Sequence, residues 1–76
     1  MITREQLKMA RAGLNWTIRD LARRSGVSLN SITRYENGRD AYNETLTKLR
    51  RTLEKGGILF LDGNGDGPGV RLRARR

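Results

Sequence analysis

The chain of 76 residues contains no cysteine and no histidine. Disulfides, thiol catalysis and the usual zinc sites are therefore excluded. So is an imidazole general base. No apolar run approaches the roughly 20 residues needed to span a bilayer. The opening stretch "MITREQLKMARAGLN" lacks an apolar run of signal-peptide length, so a reducing, cytoplasmic setting is expected. Acids are scarce too. Eight Asp and Glu face 16 Lys and Arg, a formal net charge of +8, and the pI is near 11.3. That imbalance favours a polyanionic partner, nucleic acid or an acidic membrane, over basicity kept for solubility. A chain this short forms one domain and buries only about 60% of its unfolded surface. Its core is small, and burial against a partner would help it.

What is present reads as four helices followed by a hairpin. The first helix spans Thr3 to about Ala12. Thr3 with Gln6 resembles a capping box, and Leu7, Ala10 and Leu14 mark one face. Gly13 is expected to end this helix, with Leu14 packing just beyond it. A second helix starts at Thr17, with Asp20 three residues on as an acidic cap partner. Ile18, Leu21 and Ala22 face inward, Arg23 and Arg24 outward, and Gly26 supplies the left-handed stop. Ser28 caps the third helix, anchored inward by Ile32 and Tyr35 and closed by Asn37-Gly38. "RDAYN" is a loop. The fourth helix begins near Asn43 or Glu44, carries Leu46, Leu49 and Leu53 on its apolar face, and runs to Lys55.

The middle of the chain has an informative spacing. Two short helices joined by a glycine turn form a helix-turn-helix. They cross closely, so the first needs a small residue at the crossing. Ala22 is that residue, Gly26 makes the turn, and Ile32 plugs the space between. The second helix then projects, and its N-terminal half fits a major groove roughly 12 Å wide.

"TIRDLARRSGVSLNSITRYENG" resembles the DNA-binding motif of the phage Cro and CI repressors, the Xre family. The resemblance rests on Leu21-Ala22, Gly26-Val27-Ser28, Ile32 and Glu36-Asn37-Gly38. With the first and fourth helices it covers roughly residues 3 to 55. It implies that Arg11 of the first helix pairs with Glu36, bridging helices one and three. The family often has Ser-Gln where this chain has Thr17-Ile18, and Ile18 cannot make the glutamine's hydrogen bond. The fifth helix common in phage repressors is replaced by a hairpin. Some small bacterial Xre-type regulators end in a similar "GPGVRLR" tail.

Groove chemistry then distributes the roles. Asn30 and Arg34 are the best-placed base readers, since Asn pairs bidentately with adenine and Arg with guanine. Leu29 and Thr33 suit a thymine methyl. Thr17, Arg19, Ser28 and Ser31 are placed for phosphates, as are Arg39, Tyr42 and Asn43 past the third helix. Plain capping is the bland reading of Thr17 and Ser28, a solvated surface arginine that of Arg34. For Tyr42, core packing and phosphate contact stay equally open.

After Gly56-Gly57 the composition changes. "ILFL" at 58–61 and "VRLR" at 70–73 read as strands around a glycine-rich turn. "DGNGDG" imitates the first positions of an EF-hand loop, through Asp62, Asn64, Asp66 and Gly67. Its twelfth position is Arg73, no helix follows, and turn chemistry explains these residues without a metal. Both faces of the first strand are apolar, and a lone hairpin is marginal in water. A symmetric homodimer is expected, with Ile58, Leu59, Phe60, Leu61, Val70 and Leu72 at its interface. A monomer with the hairpin folded back on its own helices is the alternative.

The expected fold is mainly α: a four-helix Cro/CI-type helix-turn-helix domain at 1–57, then a β-hairpin dimerisation element and basic tail at 58–76. The expected function is a sequence-specific regulator of transcription on double-stranded DNA. It would be a repressor that blocks polymerase from a pseudo-palindromic operator, with activation by touching polymerase the other mode open to this fold class. No enzyme activity, cofactor, metal or small-molecule ligand is expected, and no membrane. A protein-interaction module, antitoxin or antiactivator, is the alternative. It should lose the arginines around the third helix, yet Arg19, Arg34 and Arg39 remain. Membrane binding through "RLRARR" lacks bulky apolar anchors.

Overall fold

The computed structural model of the chain describes residues 1–63 and 65–74. Asn64 of the EF-hand-like loop and Arg75 and Arg76 of the basic tail lie outside them. Four helices, α1 (Arg4–Gly13), α2 (Ile18–Ser25), α3 (Leu29–Glu36) and α4 (Asn43–Lys55), precede two strands, β1 (Ile58–Leu61) and β2 (Gly69–Leu72). The fold is mainly α with a two-stranded antiparallel hairpin, as the residue pattern implies.

Local chemistry sets the boundaries. Thr3 and Gln6 form a full capping box on α1, and Thr17 and Asp20 do the same on α2. Each satisfies two amide donors that a helix start leaves open. The expected end at Gly13 holds, with Leu14 packed just beyond it. Gly13 is the last residue of α1, Leu14 is the cap, and Asn15 takes the left-handed conformation at φ 60°. Asn tolerates that region better than other non-glycine residues because its short side chain bonds locally. The Trp16 N–H then donates to the Arg11 carbonyl at 2.9 Å, closing the turn.

One core joins all six elements. Leu7, Leu21, Ile32, Leu49, Leu53 and Ile58 are its largest fully buried side chains. Ile2, Ala10, Val27, Tyr35, Leu46 and Phe60 complete it, with Leu14, Trp16, Ile18, Ala22, Ala41 and Val70 packed at its margin. Gly56 follows α4 where the chain passes the Trp16 ring. A Cβ there would sit 2.7 Å from Trp16 Cη2, so only glycine permits that approach.

The second strand begins one residue earlier than its alternation suggests. Gly69 pairs with Leu61, Val70 with Phe60, Arg71 with Leu59 and Leu72 with Ile58. Opposed residues share a face, so Ile58, Phe60, Val70 and Leu72 form one side and Leu59, Leu61 and Arg71 the other. Ile58 and Phe60 are buried in the protomer's own core and Val70 packs against it. Of the six residues expected at a dimer interface, only Leu59 and Leu72 are exposed, and Leu61 is half-buried.

Gln6 fastens the hairpin to α1. Its Oε1 accepts from the Thr3 N–H at 2.9 Å, and its Nε2 donates to the Leu61 carbonyl at 3.1 Å and the Gly69 carbonyl at 3.0 Å. The side chain is buried and fully satisfied. Replacing it with an apolar residue of similar size leaves buried polar groups without partners, which costs about 1–3 kcal/mol. Gln6→Leu is accordingly predicted to lower the urea midpoint by that equivalent with an unchanged denaturant slope.

Candidate nucleic-acid interface

The α2–α3 turn is built by two residues. Gly26 adopts φ 78°, and its N–H closes α2 on the Ala22 carbonyl at 3.0 Å. A side chain at that φ is strained. The Ser28 hydroxyl accepts from the Ser31 N–H at 3.1 Å and starts α3. Leu21 and Ile32 are fully buried and Ala22 is half-buried beside them, so the two helices cross around a small side chain.

The back of α3 is held by α1. Arg11 Nε donates to Glu36 Oε2 and Arg11 Nη2 to Glu36 Oε1, each at 2.9 Å, a bidentate pair. Arg11 Nη1 also donates to the Trp16 carbonyl at 3.1 Å. Glu36 is only 7% exposed, so the pair is mostly removed from water and its remaining bonds matter. The Arg11–Glu36 bridge implied by the resemblance is therefore present in the structure. Two further anchors had no signature in the sequence. Arg4 donates to the Tyr35 carbonyl and lies 4.8 Å above the Tyr35 ring. The Tyr35 hydroxyl donates to the Ile2 carbonyl at 2.7 Å, and burial pushes its pKa up. A polar residue in a first helical turn normally reads as a solvated position, which is why Arg4 is illegible.

With its back docked, α3 presents Leu29, Asn30 and Arg34 to solvent, with Thr33 half-buried beside them. Leu29 is 39% exposed. Around this face lie Thr17, Arg19, Ser28, Arg39 and Asn43, all exposed, and half-buried Ser31. Tyr42 is 85% exposed. Core packing, one of the two readings of this residue, is thereby overturned. The tyrosine precedes α4 as its N-cap, where the backbone turns outward before the helix begins.

Three helix starts surround α3, and they differ. On α2, the Thr17 N–H donates to Asp20 Oδ2 and the Thr17 hydroxyl accepts from the Asp20 N–H. That backbone bond, with the Thr17 hydroxyl and the nearby Arg23, holds the Asp20 carboxyl below its ordinary range. On α3, the Ser28 hydroxyl donates to Ser31 Oγ at 2.9 Å, leaving the Ser31 proton free. The start of α4 has no side-chain cap bond. Its first amides face outward with the positive end of a 13-residue helix behind them. They adjoin an open cleft of about 430 Å³ lined by Ser31, Arg34, Asp40, Ala41, Tyr42 and Thr45. Helix amides, an arginine and hydroxyls suit a phosphate oxygen.

Three acids are held in ion pairs away from the front of α3. Among the described residues the ion pairs are Arg11–Glu36, Arg23–Asp20 and Arg50–Glu54. Arg19, Arg34 and Arg39 have no carboxylate partner among the described residues. Arg24 lies 4.4 Å over the Trp16 ring. Asp62 and Asp66 line a shallow depression beside the hairpin turn, and no group of three acidic side chains gathers among the described residues. No helix there is long and apolar enough to cross a membrane. Residues 7–57 match the family model described as Helix-turn-helix. No curated protein matches the chain at a significant level.

Two outcomes follow from this geometry. Arg11→Ala strands the buried Glu36 carboxylate and is predicted to cost about 3 kcal/mol in urea denaturation, whereas Arg11→Met combined with Glu36→Leu recovers most of it. The depressed Asp20 pKa contributes stability above the ordinary aspartate range, lost as pH falls through the lowered value. Asp20→Asn should therefore flatten the acid limb of the urea midpoint plotted against pH.

Proposed function

Because the chain belongs to the helix-turn-helix family of the Cro and CI (Xre) type, and so is a DNA-binding regulator, we propose that it is a sequence-specific repressor. It binds duplex DNA as a homodimer on a pseudo-palindromic operator. One observation carries this reading: α3 is anchored along its back and bare along its front, with Arg19, Arg34 and Arg39 unpaired around it. A protein-docking version of the scaffold has no use for three free guanidinium groups at that face. Repression follows from occupancy alone, since a bound domain excludes polymerase from the same DNA.

Asn30 and Arg34 enter the major groove and read base edges, while Leu29 and Thr33 meet thymine methyls. The hydroxyls of Thr17 and Ser31, the amides at the starts of α2, α3 and α4, and the side chains of Arg19, Ser28, Arg39, Tyr42 and Asn43 meet phosphates. Two recognition helices about 34 Å apart reach successive major-groove faces on one side of the duplex.

Selection of bound duplexes from a random pool tests this reading. The expected product is a two-fold symmetric consensus with half-sites about one helical turn apart. A pool that enriches no sequence removes the base-reading role, and a consensus without symmetry removes the dimer. Arg34→Ala should relax preference at one base pair per half-site, by about 1–3 kcal/mol of discrimination. If each subunit neutralises about four phosphates, log K against log[salt] slopes near −7 for the dimer. Asp40 is the acid on the cleft wall beside Arg34. Removing its charge in Asp40→Asn should tighten binding roughly two- to threefold at low salt, the size of one screened charge about 8 Å away.

A further inference from the structure

The loop between α3 and α4, residues 37–42, carries Arg39 and Tyr42 and ends at the uncapped start of α4. It has few bonds of its own. The Asn37, Gly38 and Arg39 N–H groups donate back to carbonyls of α3, whereas those of Asp40, Ala41 and Tyr42 donate to no backbone carbonyl among the described residues. Every loop residue except Ala41 is exposed, and Ala41 packs at the margin of the core. A stretch with so few buried contacts opens readily unless something outside it fixes a point along its length.

Arg4 holds that point. Its Nη1 carries two protons and donates to two carbonyls, that of Tyr35 in the last turn of α3 and that of Arg39 at 3.4 Å. Between them lies the bend at Gly38, with φ 101°. A Cβ on Gly38 would sit 3.8 Å from the same nitrogen, so the guanidinium closes the inside of the bend. Its central carbon lies 4.8 Å from the centre of the Tyr35 ring, and the Tyr35 hydroxyl is itself fixed on the Ile2 carbonyl. Arg4 belongs to none of the ion pairs among the described residues. Its charge faces the carbonyl end of α3, where a cation is favoured.

Resting on the phosphate contacts proposed above, we infer that Arg4 is a positioning residue for DNA binding. It touches no nucleotide and sets the loop from which Arg39, Tyr42 and the first amides of α4 meet the duplex backbone. Fixing the Arg39 carbonyl fixes the peptide that leads into Asp40, and with it the approach to α4. Base reading is separate. The front of α3 is set by the Ser28 cap, by Ile32 and by the Arg11–Glu36 pair. Arg4 therefore governs affinity without governing sequence preference.

Arg4→Met keeps the stem and removes the guanidinium. Lys8→Met, at an exposed cation one turn further along α1, removes the same charge away from the loop. On the selected duplex, Arg4→Met is expected to weaken binding roughly tenfold and Lys8→Met no more than about twofold. The salt slope of Arg4→Met should be shallower by about 0.9 per subunit, the share of one phosphate contact, with discrimination against a one-base-pair change kept within about twofold. Arg4→Lys, which keeps a donor but loses the planar group, falls between. Arg4→Met added to Arg39→Ala costs less than it does alone, since both act on one contact. In the free protein, amide order parameters should fall at Asp40, Ala41 and Tyr42 and hold from Leu29 to Arg34. Binding is compared where circular dichroism shows each variant folded, and Arg4→Lys carries the same comparisons if Arg4→Met is not.

Equal losses for Arg4→Met and Lys8→Met overturn the inference, and so does a strictly additive cycle with Arg39→Ala. Discrimination that falls in step with affinity also overturns it, since Arg4 would then hold α3 and not the loop. In each case the phosphate reading stands as long as Arg39→Ala still flattens the salt slope. An Arg39→Ala slope equal to that of the unmodified protein removes the phosphate reading and the inference together.

Discussion

An eight-residue helix is too short to persist on its own in water, yet α3 must keep its front polar and uncovered. Its stability has to come from behind. Ile32 and Tyr35 contribute apolar burial, and the Arg11–Glu36 pair contributes two short charge-assisted bonds that fix its direction. Arg4 and the Ile2 carbonyl hold the Tyr35 end. The polar restraints all run to α1 or to the segment before it. The first helix thus serves as the rigid support from which the projecting helix is presented, and α2 sets the crossing through Ala22 and Gly26.

The distribution of charge follows from the same division. Glu36, Asp20 and Glu54 each accept an arginine at the back or flank of the domain. Arg19, Arg34 and Arg39 pair with no carboxylate among the described residues and lie around α3, with the uncapped start of α4 beside them. Net charge draws a polyanion from a distance, but it cannot choose a face.

Much of this was legible in the sequence, because helix starts and turns are local events. Thr3–Gln6, Thr17–Asp20, Ser28 and Gly26 each act within four residues of themselves, and the structure keeps all of them. The family motif added Arg11 with Glu36, a pair 25 residues apart that spacing alone does not reveal. What stayed hidden depends on where distant segments meet. Gln6 reads as half of a capping box, and nothing local says that its other end reaches Leu61 and Gly69. Arg4 reads as a solvated first-turn residue. Gly13 ends α1 as read, but that Asn15 rather than a glycine takes the left-handed turn has no local signal. The hairpin's alternation gives its two faces but not which face the helices cover: Ile58 and Phe60 lie in the protomer's own core and Val70 packs against it.

Tying the hairpin to α1 through Gln6 and a shared core has a mechanical consequence. The element expected to join two copies and the helix that supports α3 move as one body, so the separation of two recognition helices is set by packing rather than by a linker. The most direct test of the central claim is an amide chemical-shift titration of the labelled protein with its selected duplex. Docking of α3 in the groove predicts the largest changes at Leu29, Asn30 and Arg34 and at the first amides of α2 and α4, with the outer face of α4 near Arg51 unmoved. Changes centred on the hairpin or on α4, with α3 silent, would contradict it.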